Sequence, residues 1–439
     1  MTAHAAHLPP FRVPSVIKRN ITLFALSQSF TGAGMQFAYG FGPLMVLSLT
    51  GSAGLAGLSV GLIGLSRFFV AYPVGKVADA YGRKPGIQMG LVLGLIGAVI
   101  VGFSMSFHSF PVFVVGMFVF GMGMNAAQQL RVAATDMFPP HHRAQALGYV
   151  ALGSLGGLAI SPIVVASTSA VAGSLHQDPL ALPWFLLPAL ILPGILMVFF
   201  VRPDPKQIGM DLARYYPGYA PPREPPKGKS GFRATQLLRH KRLRLAIVSN
   251  CGAQGNMSIV MVLTSLVLSH HGHGLAAIAF SHMFHSMGMF AFTIPLGRLT
   301  DRFGRDMVMF PGVATALIGA SLVAFTGMYW SVTLGTFLVG LGWAGANVAA
   351  TAMIADHFAT VERGRAIGVN ESFAGGMSVA VALVTGPLIE WSGLSATGLV
   401  AVLCALPPLL MLLASPGQMR QTPAALQPVP IRVDAEKAD

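Results

Sequence analysis

The chain has 439 residues, of which 54% are hydrophobic and only 10% charged, against about 25% charged in ordinary soluble domains. That balance cannot give a solvated surface at this size and indicates a polytopic membrane protein. A net charge of +13 would suggest nucleic acid in a soluble chain. The position of the charges, set out below, excludes that reading.

Residues 1–19 are polar and include Pro9, Pro10, Arg12, Lys18 and Arg19. They lack the apolar core and small-residue cleavage site of a signal peptide, so the first long apolar run is expected to be a retained span. A bilayer-crossing helix needs about 20 mostly apolar residues. That rule predicts twelve spans: 20–48, 52–74, 86–107, 110–134, 147–172, 182–201, 245–268, 275–296, 307–327, 330–354, 367–391 and 396–415. The expected class is an all-α membrane protein of two six-helix bundles, 20–201 and 245–415. Between them, 202–244 is rich in Pro, Lys and Arg (Pro221, Pro222, Arg223, Pro225, Pro226, Lys227) and reads as a solvated linker. The tail 416–439 is polar. Cys251 and Cys404 both lie in apolar runs, so no disulfide framework is indicated.

Lys and Arg favour the cytoplasmic side of a membrane. With the amino terminus inside, every Lys and Arg except Arg67 falls in a cytoplasmic segment or at a cytoplasmic helix end. Both termini and the linker are therefore expected in the cytoplasm, and the basic charge is topological.

An internal repeat frames the chain. Gly75-Lys-Val-Ala-Asp79-Ala-Tyr-Gly82-Arg83-Lys84 follows the second span, and Gly297-Arg-Leu-Thr-Asp301-Arg-Phe-Gly304-Arg305-Asp306 follows the eighth, 222 residues on. Each reads as a Gly-x-x-x-Asp turn closed by Gly-Arg. A second pair, Asp136…Arg143…Gly148 and Asp356…Arg363…Gly368, recurs at an offset of 220.

Twelve spans in two halves, with Gly-x-x-x-Asp-x-x-Gly-Arg-Lys after the second helix and a copy after the eighth, resemble the major facilitator superfamily. The resemblance covers about 20–415. It implies two bundles of inverted three-helix repeats around a midplane site, working by alternating access. It also implies that Asp79 and Arg83 hold a closed cytoplasmic gate, with Gly75 and Gly82 allowing close approach and Lys84 completing the motif. Gly297, Asp301, Gly304 and Arg305 would do the same in the second half. The alternative is a turn whose charges only set topology.

Ionisable groups inside spans are costly and are therefore functional candidates. Arg67 could snorkel to the inner surface, Glu371 opens the predicted eleventh helix where the helix dipole favours it, and Arg131 lies near the inner end of the fourth span. No Asp or Glu falls mid-span in helices 1, 4, 7 or 10, so no carboxylate proton relay is visible. The soft side chains form a pattern instead. Asn250, Gln254, Met257 and Met261 share one face of the seventh span, and His282, His285 and Met289 share one face of the eighth. Thioether and imidazole suit copper, Cu(I) in particular. His270, His271 and His273, between these spans on the predicted outer side, could collect the ion. Against this, methionine is a common filler of apolar packing, and the histidines could be hydrogen-bonded core residues.

Met-x-x-x-Met in helix 7 (Met257, Met261) and His-x-x-x-Met in helix 8 (His285, Met289) resemble the CcoA-type copper importers of the superfamily. That resemblance implies copper as the substrate, for haem–copper oxidase assembly, with no prosthetic group. The expected function is copper import across a bacterial cytoplasmic membrane. The partners expected are the lipid bilayer and a small substrate or metal ion, with no nucleic acid and no oligomer implied. One rival is an organic-solute transporter, in which Gln28, Gln36, Asn125, Gln128, Gln129 and Trp343 supply hydrogen bonds and stacking. Another is a non-transporting sensor or metalloenzyme assembly factor. No nucleophile–base or closed metal constellation stands out, so an enzyme is not expected.

Overall fold

The computed structural model describes residues 13–139, 142–217, 219, 235–358 and 360–414. Every regular element in them is helical, as a bilayer demands: without water, backbone N–H and C=O groups must be satisfied within the segment. The first half comprises α1 (Ser15–Thr50), a 3₁₀ turn at Ala53–Leu55, α2 (Leu58–Tyr81), α3 (Arg83–Ser106), α4 (Phe110–Ala127) continued past Gln128 by α5 (Gln129–Asp136), α6 (Arg143–Ala172) and α7 (Leu182–Phe199). Three short helices follow, α8 (Pro205–Met210), α9 (Leu212–Tyr215) and α10 (Thr235–Arg239), so the predicted linker is partly structured. The second half comprises α11 (Lys241–His270), α12 (Leu275–Ala291) continued past Phe292 by α13 (Thr293–Phe303), α14 (Arg305–Phe325), α15 (Tyr329–His357) and α16 (Thr360–Leu413).

Ten helical stretches among the described residues are long and apolar enough to cross a membrane. The last, Ala366–Leu413, holds two spans folded at Gly393, where φ is 80°. The remaining span is α1. At 36 residues it is long enough, but it is diluted by Ser27, Gln28, Thr31 and Gln36, which it buries. These add up to the twelve spans expected.

The repeated loops differ from their reading as turns. The helix runs unbroken through Gly75 and Asp79 to Tyr81, and through Gly297 and Asp301 to Phe303. Only Gly82 and Gly304 leave it, with φ of 109° and 97°, a region that favours glycine. A Cβ on Gly75 or Gly297 would meet open space. A Cβ on Gly82 would lie 2.7 Å from Asp204 Oδ2, within the same half. Asp204 accepts from the backbone N–H of Arg83 and of Lys84, both at 3.0 Å, satisfying orphan donors at the start of α3. Lys84 donates from Nζ to the carbonyl of Phe199 at 2.6 Å.

At the equivalent place in the second half the charges are reversed. The position of Lys84 is taken by Asp306, buried in the first turn of α14, and Arg242 of α11 donates to its carboxylate at 3.3 Å.

The two halves meet tightly at the end of the molecule away from these loops. A Cβ on Gly57 would overlap the carbonyl oxygen of Ala382, and one on Gly386 would overlap that of Gly54. Ser265 of α11 donates to the carbonyl of Gly40 of α1 at 2.6 Å. At the opposite end, the basic face that carries Gly82, Gly304 and the linker, the halves part around a cavity.

Two outcomes follow from these contacts. In a C251S/C404S background with spin labels at Leu175 and Met328, Gly386→Ala should move the label–label distances to longer values; an unchanged distribution would contradict the seal. Asp204→Ala should cost about 1 kcal/mol through loss of the cap, and Gly82→Ala should cost more, since it adds strain and a clash. Thermal unfolding of the purified protein measures both.

Candidate functional site

The cavity holds about 590 Å³ and lies between the halves. Its deep end is lined by Gln36 and Tyr39 of α1, Met261 of α11 and His285 of α12. Its walls descend to Val74, Arg131, Phe290 and Glu371 near the basic face. A second cleft of about 490 Å³ adjoins it between α2 and α16 and shares Tyr39, Arg67, Asn125, Gln254 and Glu371 with it. With the far end sealed and this end lined open, the molecule is in the state that faces its basic side.

Met257, Met261, His285 and Met289 all line the cavity, so the helical stripes read from spacing converge on one space. His285 is buried and its Nδ1 donates to the carbonyl of Thr336 at 2.9 Å. That bond fixes the tautomer, with Nε2 as the ring's remaining lone pair. His282 does not belong to the site. It is buried with Nε2 2.9 Å from Ser265 Oγ. The single hydroxyl proton of Ser265 goes to the Gly40 carbonyl, so Nε2–H of His282 must donate, which leaves Nδ1 buried without a partner. His282 thus belongs to the seal between the halves, and a Cβ on Gly40 would come within 3.0 Å of its ring.

His270 and His271 are exposed at the sealed end, and His273 is half-buried. Nδ1 of His271 donates to the carbonyl of Val267 at 2.8 Å, while the ring of His273 lies against Tyr329. Among the described residues no three His, Cys, Asp or Glu side chains come together to hold a metal ion. Cys251 is buried and does not line the cavity.

Six amides share the wall with six soft groups, since Met35 and Met124 line it beside Met257, Met261, His285 and Met289. Gln28, Gln36, Asn125, Gln128, Gln129 and Gln254 line the cavity together with Trp343. Gln36 donates to Ser286 Oγ across the halves at 2.5 Å. Trp343 Nε1 donates to Gln254 Oε1 at 2.9 Å. Asn125 is tied to α2, donating to the carbonyl of Ile63 at 2.9 Å.

The three in-span charges all face this space. Arg67 lines both cavity and cleft rather than reaching for the membrane surface. Glu371 is not at a helix start, because α16 begins three turns earlier at Thr360; it accepts from Asn347 at 3.5 Å. Arg131 lies 5.3 Å from the ring centre of Phe290 on the other half.

At the basic face, Arg83 bonds Asp136 at 2.6 Å, and Arg305 bonds Asp356 at 2.9 Å and Asp301 at 3.2 Å. The two repeated motifs thus meet each other within each half, a pairing that motif spacing alone did not reveal. Their matching offsets, 222 and 220, were the signal for it. The side chain of Asp79 lies outside the described residues.

Relatives and neighbours agree with this architecture. The Major Facilitator Superfamily model matches residues 24–284 and 245–433. The uncharacterized MFS-type transporter YddS of Bacillus subtilis is 27% identical over 351 residues, 79% of each chain. The riboflavin transporter RfnT of Brucella anthropi is 26% identical over 388 residues, 86% of this chain and 90% of that one. A crystal structure of the nucleoside transporter NupG superposes with a TM-score of 0.65 at 13% identity, covering 92% of this chain and 99% of that one, which speaks to the fold alone. Twelve spans in two halves about a central cavity, with paired Gly-Arg loops at one face, thus go with a family match over most of the length: the chain belongs to the Major Facilitator Superfamily and is a multi-pass membrane transporter.

Proposed function

We propose that the protein carries a small organic solute across a bacterial cytoplasmic membrane by alternating access, with its basic face in the cytoplasm. The observation that carries this reading is the cavity wall. A space of about 590 Å³ falls in the range of small-molecule sites, about 300–1,000 Å³, and far exceeds a bare ion. Its six amide side chains offer donors and acceptors from both halves, and Trp343 offers a stacking face held by Gln254. Amide pairs that can serve as either donor or acceptor suit heteroaromatic or carbonyl-bearing cargo. The riboflavin transporter among the relatives supports the same class.

Copper is the second reading, favoured by one observation: Met257, Met261, His285 and Met289 line the same cavity. The bond from His285 Nδ1 to Thr336 is the kind of support that orients a metal-binding imidazole. Against it, the relatives reported above lend copper no support, and the wall carries as many amides as soft side chains.

In either reading, Arg83 with Asp136 and Arg305 with Asp356 brace the cytoplasmic ends within each half. Rocking the halves would then carry the braced ends together, closing the inner side as the Gly57–Ala382 seal opens.

Proteoliposomes containing the purified protein separate the two readings. Uptake of riboflavin or nicotinamide should be measurable and should fall at least tenfold in Trp343→Ala and Gln254→Ala. Cu(I) uptake should stay at the level of empty liposomes. Cu(I) uptake that disappears in Met257→Ala and His285→Ala, with no organic probe transported, would reverse the assignment.

A further inference from the structure

Two cations face the cavity without an anion to meet them. Arg67 and Arg131 line it, and neither has an ion-pair partner among the described residues. Nε of Arg131 is buried with no hydrogen-bond partner. Its guanidinium instead rests 5.3 Å from the ring centre of Phe290, so a charge on the first half lies against an aromatic face on the second. The other walls supply one carboxylate, Glu371, which already accepts from Asn347. The remaining titratable groups there are Tyr39 and His285, whose Nδ1 is taken up by the carbonyl of Thr336.

A guanidinium withdrawn from water is costly unless a counter-charge and hydrogen bonds replace the lost hydration. A cation–π contact replaces only part of it. Arginine presents a planar fork of donors that matches carboxylate and phosphate oxygens. A site holding two such forks and one engaged carboxylate is built for a ligand that brings its own negative charge.

We infer that the cargo is an organic anion, whose carboxylate or phosphate is held by Arg131 and Arg67 while Trp343 and Gln254 hold its uncharged part. The inference rests on the organic-solute reading and narrows it. It also gives the cargo a grip on the transport cycle. An anion that draws the guanidinium of Arg131 off Phe290 exchanges a contact between the halves for a contact to the ligand. Binding would therefore loosen one arrangement of the halves as it fills the cavity. Cationic cargo is disfavoured, because it would meet two arginines for one carboxylate.

Matched probes differing in charge provide the test: nicotinamide against nicotinate, and riboflavin against flavin mononucleotide. Ligand-induced rises in Tm of the full-length protein in detergent are read alongside uptake into proteoliposomes. At least one anionic member should stabilise the protein and be transported, with its neutral counterpart at least tenfold weaker. Arg131→Gln should abolish that preference, and Arg67→Gln should weaken it. Because removal of a half-buried charge can also lower expression, Arg131→Lys is the second variant; it keeps the charge without the fork and should retain part of the preference.

Neutral probes binding as well as their anions, or an unchanged preference in Arg131→Gln, would overturn the inference and leave the organic-solute reading standing. Equal stabilisation by inorganic phosphate alone would assign the arginines to the free ion and overturn it as well. Copper uptake with no organic probe bound would sink both.

Discussion

The backbone-to-backbone approach of Gly57 to Ala382 and of Gly54 to Gly386 governs what the rest of the molecule can be. Two bundles embedded in lipid gain nothing from hydrophobic attraction to each other, since lipid tails are as apolar as leucine. They stay together where small residues let main chains touch, and here those residues lie at one end only. The cavity is the wedge left at the other end. Polar side chains that hydrocarbon would penalise, Gln28, Gln36, Asn125 and Gln254 among them, line that wedge. The modest hydropathy of α1, which alone keeps it from reading as a clean span, comes from the same cause.

Within each half a second constraint repeats. Gly90 meets Ala126 and Gly97 meets Phe120 where α3 crosses α4, and Gly312 and Gly319 meet Ala346 and Gly335 where α14 crosses α15. These glycines stand 222 residues apart, as do the Gly-Arg loops. The crossings bring the starts of α3 and α14 close to the ends of α5 and α15, and so bring Arg83 to Asp136 and Arg305 to Asp356. Two partly exposed ion pairs add little stability by themselves. Their value is positional, because each ties the loop after one helix to the end of another and makes the end of a half move as a unit.

The class, the two halves, the spans and the face bearing the loops could be read from apolar run length and the repeat. Even there, the turn expected at Gly75–Asp79 is helix, since nothing in Gly-x-x-x-Asp breaks a helix until Gly82 takes a positive φ. The site was legible by half. Spacing put Met257, Met261, His285 and Met289 on common faces, and those faces do point inward. It also put His282 on that face, and His282 instead belongs to the seal, because a helix stripe wide enough to reach a cavity also reaches the neighbouring helix. Arg67, read as able to snorkel to the inner surface, and Glu371, read as opening a helix, both line the cavity for a related reason. Hydropathy locates a charge in depth, while only packing decides which way around the helix it faces. For Glu371 the error began with the helix start, placed at 367 and found at Thr360.

The reversed charges at the starts of α3 and α14 bear on how the chain could be divided. Asp204, which caps α3, follows the sixth span, and Arg242, which meets Asp306, precedes the seventh. Each half therefore keeps its own clamp on its own side of residues 220–234. A chain severed there would yield two fragments, each with a complete brace and neither borrowing a charge from the other. What the fragments would have to rebuild together is the far-end seal, and that is made of glycine and carbonyl rather than of ions.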